Sequence, residues 1–125
     1  MSRFPDSPLT SEEGYRNIFE AASDGLVIYD MEMDVVVEAN SAACEMHGYQ
    51  RPEFIGLNPT EFMLPESHVL FMENVTKAEP GSFFESLAIH IHKDGSPFHV
   101  EVRSNSIIPL MPSPGRLKTT CTPQS

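Results

Sequence analysis

The chain has 125 residues, 40% of them hydrophobic, with 18 acidic against 8 basic side chains and a formal charge of −10. That composition supports one modest core and excludes a disordered chain. The acidic excess disfavours nucleic-acid backbones and anionic membrane surfaces, both of which recruit clustered Lys and Arg.

Only Cys44 and Cys121 are available for disulfides, too few for a stapled scaffold, and no apolar run approaches the length of a membrane span. Residues 1–10 contain Pro5 and Pro8 and read as a flexible leader, with neither the basic start nor the apolar stretch of an export signal. The expected setting is the cytoplasm.

Thr10 or Ser11 caps a first helix, with Glu12 and Glu13 at the positive end of its dipole. Tyr15, Ile18, Phe19 and Ala22 fall on one apolar stripe, and Asp24-Gly25 stops the helix. Leu26–Tyr29 and Val35–Ala39 read as strands joined by Asp30-Met31-Glu32-Met33-Asp34. A β-branched run then ends at Asn40, an N-cap for a short helix closed by Gly48. As a plain cap, Asn40 would be replaceable by Asp. Arg51-Pro52-Glu53 opens a second short helix, with Pro where its missing N–H costs nothing.

Asn58-Pro59-Thr60-Glu61 starts one helical turn, and Pro65-Glu66-Ser67 begins a longer helix running to about Ala78, with Val69, Met72, Val75 and Phe71 on its inward face. Glu79-Pro80-Gly81 ends it. Phe84–Ile91 and Phe98–Ile108 are the clearest strands. A two-residue Asp94-Gly95 turn would place Ile89 opposite Val100 and His90 opposite His99, so that Leu87, Ile89, Ile91, Phe98, Val100 and Val102 share the inner face. Beyond Met111-Pro112-Ser113-Pro114-Gly115, only Leu117–Thr122 has strand character, and it is weakly apolar. The organisation expected is a leader at 1–10, a domain at 11–111 and an atypical tail at 112–125.

The string Asn40, Ala42, Gly48, Tyr49, Glu53 and Gly56, set after a strand and across two short helices, resembles the central signature of PAS sensory domains. The resemblance implies an α+β fold: an antiparallel five-stranded sheet with helices over one face, its last strand lying between the first and the fourth. Leu117–Thr122 either fills that gap imperfectly, or the domain borrows packing from another chain, or the tail is foreign to the family. PAS domains turn through a Gly between their first two strands, which this loop lacks.

The same resemblance implies a module that senses a small ligand or partner and biases an output domain, such as a histidine kinase or cyclase, in two-component or cyclic-nucleotide signalling. Its pocket would be lined by Met46, Phe54, Ile55, Leu57, Phe62, Met63, Val69, Met72, Val75, Leu87, Ile89, Ile91, Phe98, Val100 and Val102. A core filled by these same side chains, in a dimerisation or interaction module without ligand, is the alternative. Self-association through the first helix, by Tyr15, Ile18, Phe19 and Ala22, is implied as well.

A flavin photosensor of the LOV type carries a reactive Cys where this chain has Asn58-Pro59-Thr60-Glu61-Phe62-Met63. Haem-binding members place a proximal His on the long helix. His68 lies two residues from that position, roughly 200° around the helix, and is expected to face away.

No nucleophile elbow, phosphate loop or zinc-protease motif is present, so no enzyme is expected. His90, His92 and His99, with Glu101, form the one metal-like grouping, read primarily as a solvated outer sheet face. Cys44-x-x-His47 is a weaker candidate, with Cys44 expected as a small buried hydrophobe.

Overall fold

The computed structural model describes residues 12–77, 83–107 and 116–124. The leader at 1–10, the Glu79-Pro80-Gly81 stop and the 111–115 segment lie outside them, as does the Tyr15 side chain.

Five strands make one antiparallel sheet: β1 (Gly25–Asp30), β2 (Val35–Ala39), β3 (Phe83–Ile91), β4 (Pro97–Ile107) and β5 (Arg116–Pro123), in the order β2-β1-β5-β4-β3. The helices are α1 (Glu12–Ala21), α2 (Ser41–His47), α3 (Arg51–Phe54) and α4 (Pro65–Lys77), with a 3-10 turn at Pro59–Glu61. The core lies between sheet and cover. Val27, Tyr29, Val36 and Leu117 of the sheet are buried against Ala43, Cys44, Phe54, Phe62, Met63 and Phe71 of the helices and their connections.

The final strand is central despite its weak apolar character. It pairs with β1 through Gly25↔Cys121 to Asp30↔Arg116 and with β4 through Val100↔Pro123 to Ile107↔Arg116. Its alternate residues Leu117, Thr119 and Cys121 are buried. The polar one is satisfied in place: Thr119 Oγ1 and Ser104 Oγ, directly opposite each other, are 2.9 Å apart.

Asn40 does more than cap α2. Its Oδ1 accepts from the N–H of Ala43 at 2.9 Å and of Leu26 at 2.8 Å, and its Nδ2 donates to the carbonyls of Phe19 at 2.9 Å and Asp24 at 3.0 Å. One buried amide thereby joins the end of α1, the start of β1 and the start of α2, with both its donors and both its acceptor positions used. Asp would keep the cap and lose both donors, so Asn and Asp are not expected to be equivalent at this position.

The loop between β1 and β2 makes its left-handed turn with Asp34, at φ 61°, in place of glycine. Aspartate tolerates this region because its short carboxylate finds local partners. Here the Tyr29 hydroxyl donates to Oδ1, and Asn58 Nδ2 donates to Oδ2 at 2.7 Å and to the Asp34 carbonyl at 2.8 Å.

The β3–β4 hairpin corrects the expected register. Its loop has three residues, Lys93-Asp94-Gly95, with Gly95 at φ 95° and its N–H on the His92 carbonyl at 2.8 Å. This is the type I turn plus left-handed glycine of three-residue hairpins. The pairs are therefore Ile89↔His99, His90↔Phe98 and Ala88↔Val100. A shift of one residue reverses the faces of β3: His90 is buried inward, and Leu87 is 71% exposed outward.

Candidate functional site: a buried histidine pair beside a small cavity

His47 is the last residue of α2 and His90 belongs to the inner face of β3; both are fully buried. His47 Nε2 lies 2.8 Å from His90 Nδ1, and His47 Nδ1 lies 2.8 Å from the Ala43 carbonyl. Aromatic rings surround them. His47 packs on Phe54 at 5.1 Å, Phe62 at 5.3 Å and Phe98 at 5.2 Å between ring centroids. His90 touches Phe62 at 5.6 Å and Phe98 at 6.0 Å.

Desolvation in this surrounding pulls the pKa of His47 down to about 4 and that of His90 down to about 3. For His47 the bond to the Ala43 carbonyl partly opposes that fall; for His90 the neighbouring His47 adds to it. Both rings are neutral at physiological pH.

His90 Nε2 is buried and has no hydrogen-bond partner. The ring lines an internal cavity of about 20 Å³. The sheet side of that cavity is formed by Val27, Tyr29, Thr119 and Cys121, the cover side by Phe62, Met63 and Phe71. Its volume is on the scale of one water molecule. Tyr29 OH is held by Asp34, and the Thr119 hydroxyl by Ser104. The Cys121 thiol is pushed up to about 12 by burial and is a weak partner. Among the described residues lining the cavity, His90 Nε2 is the buried side-chain polar atom with no hydrogen-bond partner.

The pair is anchored beyond the core. The Lys93 N–H donates to the His47 carbonyl at 2.9 Å, and Lys93 Nζ lies 2.6 Å from Glu53 Oε2 and 5.9 Å over the Tyr49 ring, itself stacked on Phe54. Gly48, at φ 81°, lies against His92: a Cβ there would collide with the imidazole. The end of α2, the helix α3 and the hairpin loop therefore act on one another through short contacts.

The expected pocket residues divide. Phe62 and Met63 line the cavity; Phe54, Val100 and Val102 are buried in the core without lining it. Met46, Ile55, Leu57, Met72, Val75, Ile89, Ile91 and Phe98 are half-buried. Leu87, Ile89, Ile91 and Val69 are not inward residues: the hairpin register turns the three β3 residues to the face opposite His90, with Leu87 exposed, and Val69 is exposed because α4 turns Phe71 inward instead.

The histidine grouping is also corrected. His90 faces the core while His99, opposite Ile89, lies on the other face of the sheet. Among the described residues, no group of three or more His, Cys, Asp or Glu side chains is placed to hold a metal ion. His68 is half-buried and does not line the cavity. On α1, Phe19 is buried within the chain and so is not a surface residue, while Ile18 is 53% exposed.

His47 and His90 as a pair escaped sequence reasoning. They are 43 residues apart, and the signal that would have joined them was the choice of a three-residue hairpin loop ending on Gly95.

A five-stranded sheet with β5 between β1 and β4, covered on one face by helices around a small cavity, defines a small α+β module. The PAS domain family model matches residues 23–119, and the chain belongs to the PAS domain family, whose members are typically sensory signalling modules without catalysis. Solved structures agree in fold. The PAS domain of an HTR-like protein from Haloarcula marismortui superposes with a TM-score of 0.76 at 19% identity, over 88% of each chain. A PAS domain from a two-component sensor histidine kinase gives 0.71 at 14% identity, over 88% of this chain and 93% of that one. A domain of a sensory box sensor histidine kinase/response regulator from Geobacter sulfurreducens gives 0.64 at 23%, over 85% and 89%. No curated protein matches the chain at a significant level.

Proposed function

We propose that this domain senses the occupant of its core cavity and passes the resulting bias to an output domain, without chemistry of its own. The observation that supports this reading is His90 Nε2. A buried acceptor without a partner costs about 1–3 kcal/mol, and such groups mark places where a further molecule belongs. The mechanism is a population shift: an occupant favours one packing of the cover on the sheet, and that packing differs in its fit to the attached domain. The similarity to domains of sensor histidine kinases makes a kinase the favoured output partner, with a cyclase as the alternative. The proposed setting is the cytoplasm. Among the described residues no helix is long and apolar enough to cross a membrane, and Cys44 and Cys121 are both free.

A second reading, an interaction module with a filled core that self-associates through α1, is favoured by the size of the cavity, about 20 Å³. Native mass spectrometry of gently purified protein, followed by analysis of what denaturation releases, separates the two. A retained small molecule is the expected result. A bare protein mass, unchanged after exposure to extracts of its source, overturns the sensory reading and leaves the interaction module.

A further inference from the structure

The two histidines can share hydrogen bonds in one order only. The Ala43 carbonyl accepts and never donates, so the nitrogen 2.8 Å from it, His47 Nδ1, carries the proton. In the neutral ring His47 Nε2 is then a lone pair, and the bond of 2.8 Å to His90 requires His90 Nδ1 to be the donor. His90 Nε2 is left as a lone pair, on a ring 1% exposed that lines the cavity.

We infer that the cavity selects small molecules with a largely apolar body and a single N–H or O–H donor, the donor going to His90 Nε2. This rests on the sensory reading above. Water could give one proton to His90 Nε2 and the other to the Tyr29 or Thr119 oxygen, each of which keeps an acceptor lone pair beside its bond to Asp34 or Ser104, so water is the competing occupant. A molecule with one donor and an apolar remainder leaves nothing unpaired against Val27, Phe62, Met63 and Phe71.

A ligand offering only an acceptor is rejected by the pair as a unit. It would need the proton on His90 Nε2, which moves the next proton to His47 Nε2. His47 Nδ1 would then face the Ala43 carbonyl lone pair to lone pair, 2.8 Å away at the end of α2. The geometry also ties occupancy to the cover. At about 20 Å³ the cavity admits a ring-sized molecule only if Phe71 of α4 or the flexible Met63 moves aside.

The test uses pyrrole and furan, rings of nearly equal size that differ by one N–H. The Phe71→Ala variant makes room for either, and binding is followed by amide shifts of the cavity residues. Pyrrole should bind roughly tenfold more tightly than furan, the worth of one hydrogen bond. In the parent chain, two-bond proton–nitrogen spectra of the imidazoles at neutral pH should show both His47 and His90 protonated on Nδ1, a readout that does not depend on the variant folding. Equal binding of the two rings, or His90 protonated on Nε2, overturns donor selection while the sensory reading stands. Binding of neither ring to a folded variant removes both.

Discussion

His47 Nε2 and His90 Nδ1 meet at 2.8 Å inside the core, joining the last residue of α2 to the inner face of β3. Both rings are held neutral by burial, with pKa values of about 4 and about 3. The unfolded chain takes up protons near the ordinary histidine value of about 6.5, before the folded one does, so folding loses stability as pH falls. The loss should begin near pH 6.5, continue down to the folded values, and amount to a few kcal/mol. Urea midpoints measured from pH 7.5 to 4 check this. A His47→Phe/His90→Leu variant, which removes both titrating partners together, should flatten the dependence over that window. A parent chain equally stable at pH 7 and 4.5 would show that the pair is not neutral and buried in solution.

Asn40 should tolerate neither Ala nor Asp. Asn40→Ala removes the cap and two donated bonds to carbonyls, an expected loss of about 2–4 kcal/mol. Asn40→Asp keeps the acceptor on Ala43 and Leu26 but sets a carboxylate oxygen against the carbonyls of Phe19 and Asp24. Its expected cost is about 1–3 kcal/mol. Denaturant unfolding of the two variants measures both; an Asp variant as stable as the parent would reduce Asn40 to a simple cap.

Gly48→Ala meets two penalties. The left-handed conformation at φ 81° costs a side chain about 1–2 kcal/mol, and the new Cβ would collide with the His92 ring. Adding His92→Ala should recover the collision part and leave the backbone part. A double variant no more stable than Gly48→Ala alone would place the whole cost in the backbone.

The hairpin register gives a direct comparison of neighbours. Leu87→Lys, on the exposed face, should change stability by less than about 0.5 kcal/mol. Ala88→Glu, opposite the buried Val100, should cost about 1–3 kcal/mol. Thermal unfolding of the pair checks the order, and the reverse order would restore the register expected from a two-residue turn.

If the domain self-associates through α1, Ile18 is the residue to disturb, since Phe19 is used inside the chain. Ile18→Asp should convert a sedimenting dimer to monomer with circular dichroism unchanged, and the interface it breaks should bury more than about 1,000 Å². A parent chain already monomeric at high micromolar concentration ends that proposal.

The local punctuation of this fold was legible in the residues themselves. Asn40 and Gly48 delimit α2, Pro52 opens α3, and β2 spans Val35–Ala39 as its β-branched run predicts. Capping and strand preference are properties of a few adjacent residues, so sequence by itself determined these elements and, through their spacing, the family. The facing of β3 was different. Asp94-Gly95 and Lys93-Asp94-Gly95 are both sound hairpin loops, and only packing chose between them. The three-residue loop turns His90 inward to meet His47 and leaves Leu87 in solvent. Likewise, a weakly apolar Arg116–Pro123 takes the central place in the sheet because β1 and β4 satisfy its backbone on both sides and Ser104 satisfies Thr119. The candidate site is made from such long-range agreements, whose energies depend on partners tens of residues away. Tertiary structure alone could decide them.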